Sequence, residues 1–519
     1  MRDAIAWSYD LLPPDEQALF RRLSILVGGF SIDAAEAVGA DLQIDVFEGI
    51  GSLVDKSLLR PVDHDDESAR FLMLETVREY GLERLEADGE RRVVEEAHAD
   101  WYLRLAQHVQ RDFFSPNEPG WMSRLAIERP NFRAALSWFL ENDPSGRFLD
   151  LSAVLGRFWY KWERFTEGRR WLEQAAGIAQ QSGPSHALAT ILDNLGKLVG
   201  VQENMPLAAD YFAKSLAVWR EIGDKRGIAR EVVTLAEGYR LREEIAPAIP
   251  LYEEGLKLLQ GLEGEGVWIS TALRGLATVE LLGGHIDRAE HLFRESLAIA
   301  RESGATWALT TALHGVGQIA SERGNHAESI TAFRESLTIA WQLRDRVAVV
   351  LTMPALADAL ATAGDPERAA QVFGATLSVS DGLTPEAEGM PPLLAKYDTH
   401  IATLRTRLGE AAFQAAWSIG RGRSIESAVA LATELAGQAL AGLTNPGSTA
   451  QARALPGGLS EREAEVLRLA AAGLTNADIA DRLFLSPHTI RAHLQRIYTK
   501  LDIANRAEAV RYAVDHGLV

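Results

Sequence analysis

Hydrophobic positions in the middle of the chain carry two nested periods. Within a segment they recur every three to four residues, the spacing of one helical face. Between segments, large aromatic residues return at Trp171, Phe212, Tyr252, Phe293, Phe333 and Phe373, with spacings of 41, 40, 41, 40 and 40 residues. Leu216, Leu256, Leu297, Leu337 and Leu377 follow the last five at i+4, on the same face. Upstream of these aromatics lie the pairs Leu195-Gly196, Leu235-Ala236, Leu276-Ala277, Val316-Gly317 and Leu356-Ala357. The small residues Ala208, Ala248, Ala289, Ser329 and Ala369 fall twelve residues after each pair and four before each aromatic. The pattern predicts two helices per unit, crossing closely at the small side chains. A fixed period near 40 residues predicts a stacked array over 151–380. The unit carrying Trp171 has Glu167 where a small residue belongs and is read as an entry repeat.

The flanks have a different texture. In residues 1–95, helical periodicity over 15–26 follows Pro13-Pro14, Ser31 is placed to cap a second helix, and 46–54 reads as a third. The segments 57–60 and 70–74 then look like two short strands around Asp63-His64-Asp65-Asp66-Glu67. Three helices and a hairpin predict a winged-helix-like unit. Its acidic loop is unlike a DNA-reading wing and is expected to be solvated rather than metal-binding. A helical connector spans 96–150, a helical closing segment 381–441, and a breaker-rich tether 442–458.

Residues 459–519 predict four short helices. Ser460 and Glu463 form a capping box, with Val466, Leu467 and Ala470 facing inward, and Gly473 ends the first helix. Thr475 or Asn476 starts the second. After a turn at Phe484-Leu485, Ser486 caps the third, with Pro487 in its first turn. There Ile490, Leu494, Ile497 and Leu501 make one buried stripe, so His488, Arg491, Ala492, Gln495 and Thr499 must face outward. His488, Arg491, Ala492 and Gln495 are the base-reading candidates: Arg can donate twice to guanine, Gln can pair with adenine, and small Ala492 permits close approach. Thr475, Asn476, Ser486, Thr489, His493, Arg496, Lys500 and Arg506 are the phosphate candidates.

Charge sharpens this picture. The chain of 519 residues has 53 Lys and Arg against 72 Asp and Glu, net -19. Residues 459–519 hold eight basic and eight acidic side chains, so the whole deficit lies in 1–458. From 482 to 511, six basic residues meet two acidic ones, a local excess suited to phosphate. There are no cysteines, no long apolar run and no secretion signal at the start, which together predict a cytoplasmic protein that spans no membrane.

The repeat offsets resemble the tetratricopeptide repeat, lengthened by about six residues over its usual 34. That resemblance implies a solenoid with a concave groove for a protein or small-molecule effector. Leu459-Ser460-Glu461-Arg462-Glu463, Gly473-Leu474-Thr475-Asn476-Ala477-Asp478-Ile479-Ala480, Leu485-Ser486-Pro487-His488-Thr489-Ile490-Arg491-Ala492-His493 and Lys500-Leu501-Asp502-Ile503-Ala504-Asn505-Arg506 together resemble the LuxR-type helix-turn-helix domain. The resemblance implies double-stranded DNA as partner, Arg491 at a position where the family commonly has a base-contacting Lys or Arg, and a homodimer on DNA through a last helix that starts after Asn505 and runs to His516. Gln495 stands where a second basic residue often occurs, so an operator sequence does not carry over. Ala4-Ile5-Ala6-Trp7-Ser8-Tyr9-Asp10-Leu11-Leu12 and the winged-helix-like segment are similar to the region after the nucleotide-binding module of large LuxR-type regulators, which are signal-transducing ATPases. No Gly-x4-Gly-Lys-Ser/Thr loop occurs in the chain.

The expected fold class is therefore all-α: a tetratricopeptide-like solenoid between a winged-helix-like and a four-helix helix-turn-helix domain. The expected function is sequence-specific transcriptional regulation, without enzyme activity, metal or cofactor. Twelve scattered histidines offer no His-Glu-x-x-His. A protein-interaction scaffold without sequence-specific DNA binding is the alternative, and it leaves the Arg491 face without a purpose.

Overall fold

The computed structural model describes residues 2–62, 69–113, 117–162, 164–202, 205–242, 244–304, 306–343, 345–381 and 397–444. Of the C-terminal part it describes 459, 461–471, 473–476, 478–479, 490–491, 494, 497–498, 500–501, 503, 505–516 and 518. The acidic loop 63–67 and the tether over 445–458 lie outside the described residues. The chain divides into two compact units, Met1–Ala436 and Gly437–Val519.

The first unit opens with a helix that the hydrophobic pattern did not predict, α1 (Arg2–Asp10), which buries Ile5 and Tyr9. The expected three helices come next: α2 (Pro14–Leu23), α3 (Ile32–Val38) and α4 (Val46–Asp55). Ser31 caps α3 as expected, accepting from the Ala34 N–H, and Asp45 caps α4 by accepting from Glu48 N–H. Three short antiparallel strands, β1 (Phe30–Ser31), β2 (Arg60–Val62) and β3 (Arg70–Leu72), form a sheet in the order β1-β3-β2. The hairpin starts later than 57 because α4 closes first. Ser57 takes a φ of 60°, and the N–H groups of Leu58 and Leu59 return to the Leu53 carbonyl. Those three residues belong to a helix end, not a strand.

Helix α5 (Glu75–Ala87) closes the winged-helix unit, and α6 (Arg91–Gln110), α7 (Glu118–Ile127) and α8 (Arg129–Asn142) connect it to the solenoid. One hydrophobic core runs through all of these, from Ile5 to Leu198. A buried polar cluster fixes the junction. Glu128 accepts from Arg70, from the Tyr102 hydroxyl at 2.8 Å and from Asn131 Nδ2 at 2.8 Å. Asn131 Oδ1 in turn accepts from the Val27 N–H at 2.7 Å and lies 3.3 Å from His98 Nε2. Glu128, Tyr102 and Asn131 thus pair with one another when taken from water, while Arg70 Nη2 is buried without a hydrogen-bond partner among the described residues.

The solenoid begins with α9 (Arg147–Lys161) and α10 (Phe165–Ser182). Five helical hairpins continue it: α11 (His186–Val201) with α12 (Met205–Ile222), α13 (Lys225–Leu241) with α14 (Ile245–Leu259), α15 (Gly266–Leu282) with α16 (Ile286–Ser303), α17 (Thr306–Glu322) with α18 (His326–Gln342), and α19 (Arg346–Thr362) with α20 (Pro366–Asp381). Every periodic aromatic is buried, and so are Ala208, Ala248, Ala289, Ser329 and Ala369. The aromatic is a wedge that needs bare backbone on both sides. A Cβ placed on Gly196 or Gly317, in the first helix of the same hairpin, would sit under 3 Å from the ring of Phe212 or Phe333. A Cβ on Gly275 or Gly315, in the next hairpin, would strike Tyr252 or Phe293.

A second periodic feature is polar. Ser215, Ser296 and Ser336, each three residues after its aromatic, donate to the carbonyls of Ala189, Ser270 and Thr310 at 2.8–3.0 Å, clipping the two helices of a hairpin together. Helices α21 (Asp398–Leu408), α22 (Glu410–Gly420) and α23 (Ile425–Thr444) end the helical run. At the end of the array α22 crosses α20 closely, with Gly374 against the Trp417 carbonyl and Gly420 against that of Gln371.

Candidate nucleic-acid interface

Residues 459–518 build a core of their own. Its opening helix, Glu461–Ala471, buries Ala464, Val466, Leu467 and Ala470. Gly473, at a φ of 87°, ends it, and the Leu474 N–H returns to the Leu469 carbonyl at 3.3 Å. Glycine adopts that left-handed backbone without the Cβ penalty of other residues.

Thr475, not Asn476, caps the second helix. Asp478 N–H donates to Thr475 Oγ1 at 3.2 Å, while Thr475 N–H and hydroxyl both donate to Asp478 Oδ2 at 2.9 and 2.7 Å. The Thr475 bonds hold the Asp478 carboxyl below its usual range. This reciprocal pair fixes the starting point of the helix, and Ile479 then enters the core fully buried.

Ile490, Leu494 and Ile497 lie on helical backbone and are buried, with Leu501 packed against the same core. Arg491, adjacent to a fully buried Ile490, is exposed, as is Lys500 one residue before Leu501. His488, Ala492 and Gln495 among the base-reading candidates, and Ser486, Thr489, His493 and Arg496 among the phosphate candidates, lie outside the described residues.

Arg506 and Asn476 meet within the domain. Arg506 Nη1 donates to Asn476 Oδ1 at 3.0 Å, and Nη2 donates to the Ala470 carbonyl at 3.3 Å and to the Leu474 carbonyl. One guanidinium thus ties the last helix to the end of the first and the start of the second. That last helix, Arg506–Asp515, is capped by Asn505, which accepts from the Glu508 N–H at 3.0 Å and donates to its carboxylate at 2.9 Å. Ala509 and Ala513 bury its inner face, and Arg468 Nε reaches the Leu518 carbonyl at 3.0 Å. No sequence signal announces these contacts of Arg506; only its neighbours in space reveal them.

Comparison with known proteins agrees with this geometry. Residues 458–513 match the family described as bacterial regulatory proteins, luxR family. Residues 12–86 match a winged helix-turn-helix domain, and 230–302 match the tetratricopeptide repeat. A protein of Mycobacterium bovis, provisionally named HTH-type transcriptional regulator Mb0914c, is 26% identical over 100% of this chain and 75% of its own length. The oxygen regulatory protein NreC of Staphylococcus haemolyticus is 48% identical over 61 residues, 12% of this chain and 28% of that one. The chain thus combines a winged helix-turn-helix segment, a tetratricopeptide array and a luxR-family domain. Among the described residues no helix is long and apolar enough to cross a membrane.

Proposed function

We propose that the protein is a sequence-specific, DNA-binding transcriptional regulator whose helical repeats sense a protein or small-molecule effector. One observation carries this reading: Arg491 is exposed on a helical segment whose Ile490, Leu494 and Ile497 are sunk in the core of a luxR-family domain. A helix held by one stripe, presenting a forked cation on the other, is suited to enter the major groove and donate twice to guanine. Lys500, also exposed, is a phosphate contact in this reading. Thr475 and Asn476 position the second helix, and Arg506 supports it from behind. The name of the mycobacterial relative, matched along the whole chain, favours regulation over a scaffold role. The reading further includes a cytoplasmic location and pairing of two copies on DNA through the last helix.

Replacing Arg491 with Ala tests it. In a mobility-shift titration against a selected operator, loss of about 1–3 kcal/mol at the cognate site, with discrimination at one base pair relaxed, is expected. Equal loss on cognate and random duplexes would make Arg491 a phosphate contact and remove the base-reading role. No selectable operator at all would favour the scaffold.

A further inference from the structure

Glu231 occupies a place that the array otherwise gives to small or apolar side chains. At the repeat period its equivalents are Ile191, Ala272, Ala312 and Thr352, all buried. Glu231 is buried as well, 3% exposed within α13. A charge at such a place loses its hydration and must be repaid by partners.

Those partners do not add up for a carboxylate. Ser215 Oγ of α12 lies 3.0 Å from the Ala189 carbonyl of α11 and 2.8 Å from Glu231 Oε2. A serine hydroxyl has one hydrogen and two acceptor lone pairs. Ser296 and Ser336 spend that hydrogen on the carbonyl of the preceding helix. With Ser215 doing the same, its contact with Glu231 is a hydrogen bond only when the carboxyl carries a proton and donates it. The second oxygen agrees: Glu231 Oε1 is buried without a hydrogen-bond partner among the described residues, and so is Asp193 Oδ1 of α11. Burial first, and then the charge of Asp193, push the Glu231 pKa well above the ordinary carboxylate value. Lys197, which donates to the other Asp193 oxygen, pulls the opposite way, as do Ser215 and Trp219 where they act as donors. Charged neighbours on the surrounding helices are paired elsewhere. Arg226 and Arg230 meet Glu265 at the N-cap of α15, Glu253 and Glu254 of α14 meet Arg288 and Arg220, and Lys214 meets Asp210. His186, stacked edge-on against Trp219, meets Asp224.

We propose that Glu231 keeps its proton in the folded array at neutral pH and donates it to Ser215, forming a joint between the first two hairpins that rising pH undoes. The relay runs from Glu231 through Ser215 to the Ala189 carbonyl and so ties α13 to α12 and α11. Loss of the proton breaks it and leaves a bare carboxylate beside Asp193. The folded-state pKa lies above the unfolded value of about 4.3, so the stability from this proton is complete below that pH and is lost as pH rises through the folded value.

The full-length protein is compared with Glu231→Gln and Ser215→Ala, each checked for folding by circular dichroism. At pH 7 its infrared spectrum should contain a protonated-carboxyl band that Glu231→Gln lacks, and identical spectra would overturn the proposal. Titration of that band should have a lower midpoint in Ser215→Ala, because the proton has lost its acceptor. A higher midpoint would show Ser215 donating to a carboxylate, and would overturn it too. In urea unfolding, the folded-to-unfolded ratio of Glu231→Gln should gain on wild type by up to about tenfold per pH unit from pH 5 upward, other titrating groups being common to both. A gap independent of pH would remove the linkage. Since the chain has no cysteine, nitroxides at Lys214→Cys and Lys257→Cys, exposed positions on α12 and α14, read the joint itself. Their distance distribution should broaden as pH passes the infrared midpoint and stay fixed in Glu231→Gln. A distribution that responds to pH in neither background would leave a buried proton but no joint, and the proposal would fall.

Discussion

His98 carries its ring in a place where a charge has no counter-ion. It is 2% exposed, packs 4.8 Å from the Tyr102 ring and has one polar neighbour, Asn131 Oδ1. Burial pushes its pKa down to about 4. In the unfolded chain the imidazole titrates near its ordinary ~6.5, so between the two values the unfolded state holds the extra proton. Stability contributed by this site is therefore complete above about pH 6.5 and is lost as pH falls towards 4. The slope approaches about 1.4 kcal/mol per pH unit, or about 3 kcal/mol over the window. Urea unfolding at pH 7.0 and 5.0 should show the wild type losing more stability than His98→Phe. Parallel losses would remove His98 as the source. Arg506 makes the complementary case: a charged residue read from the sequence as a phosphate contact spends its donors on three acceptors within its own domain. Arg506→Ala should lower the melting midpoint of the C-terminal unit, with about 1–3 kcal/mol lost, even without DNA. An unchanged midpoint with weakened DNA binding would return Arg506 to the phosphate candidates.

Helix pairs behave as the 40-residue period implies, and glycines show how tightly. A Cβ on Gly315 would lie 2.2–2.3 Å from ring atoms of Phe293, whereas one on Gly177, exposed within α10, meets nothing within 4 Å. Gly315→Val should cost about 1–3 kcal/mol or more by overpacking, and Gly177→Ala should gain about 0.5–1 kcal/mol by restricting the unfolded chain. Two variants that shift the thermal midpoint in the same direction would contradict the wedge. The aromatics and small residues were legible in the sequence because a repeat writes the same packing solution several times. The clipping serines recur at the same interval, with Gly255 and Thr376 at the equivalent places. They went unread because a polar residue after an aromatic looks like surface until its carbonyl partner, 26 residues earlier in the chain, is in place. Strand β1 is two residues long and exists only because β3 pairs with it, which no local pattern announces.

Across the whole molecule the charge is divided unevenly between two kinds of work. Residues 459–519 are neutral and bury Leu459, Val466, Leu467, Ile479, Ile490, Leu494 and Ile497 among themselves, so a fragment of 455–519 should fold by itself and bind DNA. The net charge of -19 belongs entirely to the remainder. Joined to a DNA reader, a remainder of that charge is expected to repel the duplex and to compete with phosphate for the basic residues between 482 and 511. Both effects weaken binding by the intact chain relative to the fragment, and both act through solvent. They should therefore fade as salt shortens the screening length from about 10 Å at 0.1 M to about 3 Å at 1 M. An effector held by the body can raise DNA affinity only by favouring the state in which the reader is released. Titrating one labelled operator with the fragment and with the full chain, at two salt concentrations, measures the gap. The fragment should bind several-fold more tightly at low salt, with the two curves converging as salt rises. Identical affinities at low salt would mean that the acidic body leaves the reader untouched, and control would then have to come from how the repeats bring copies or partners together.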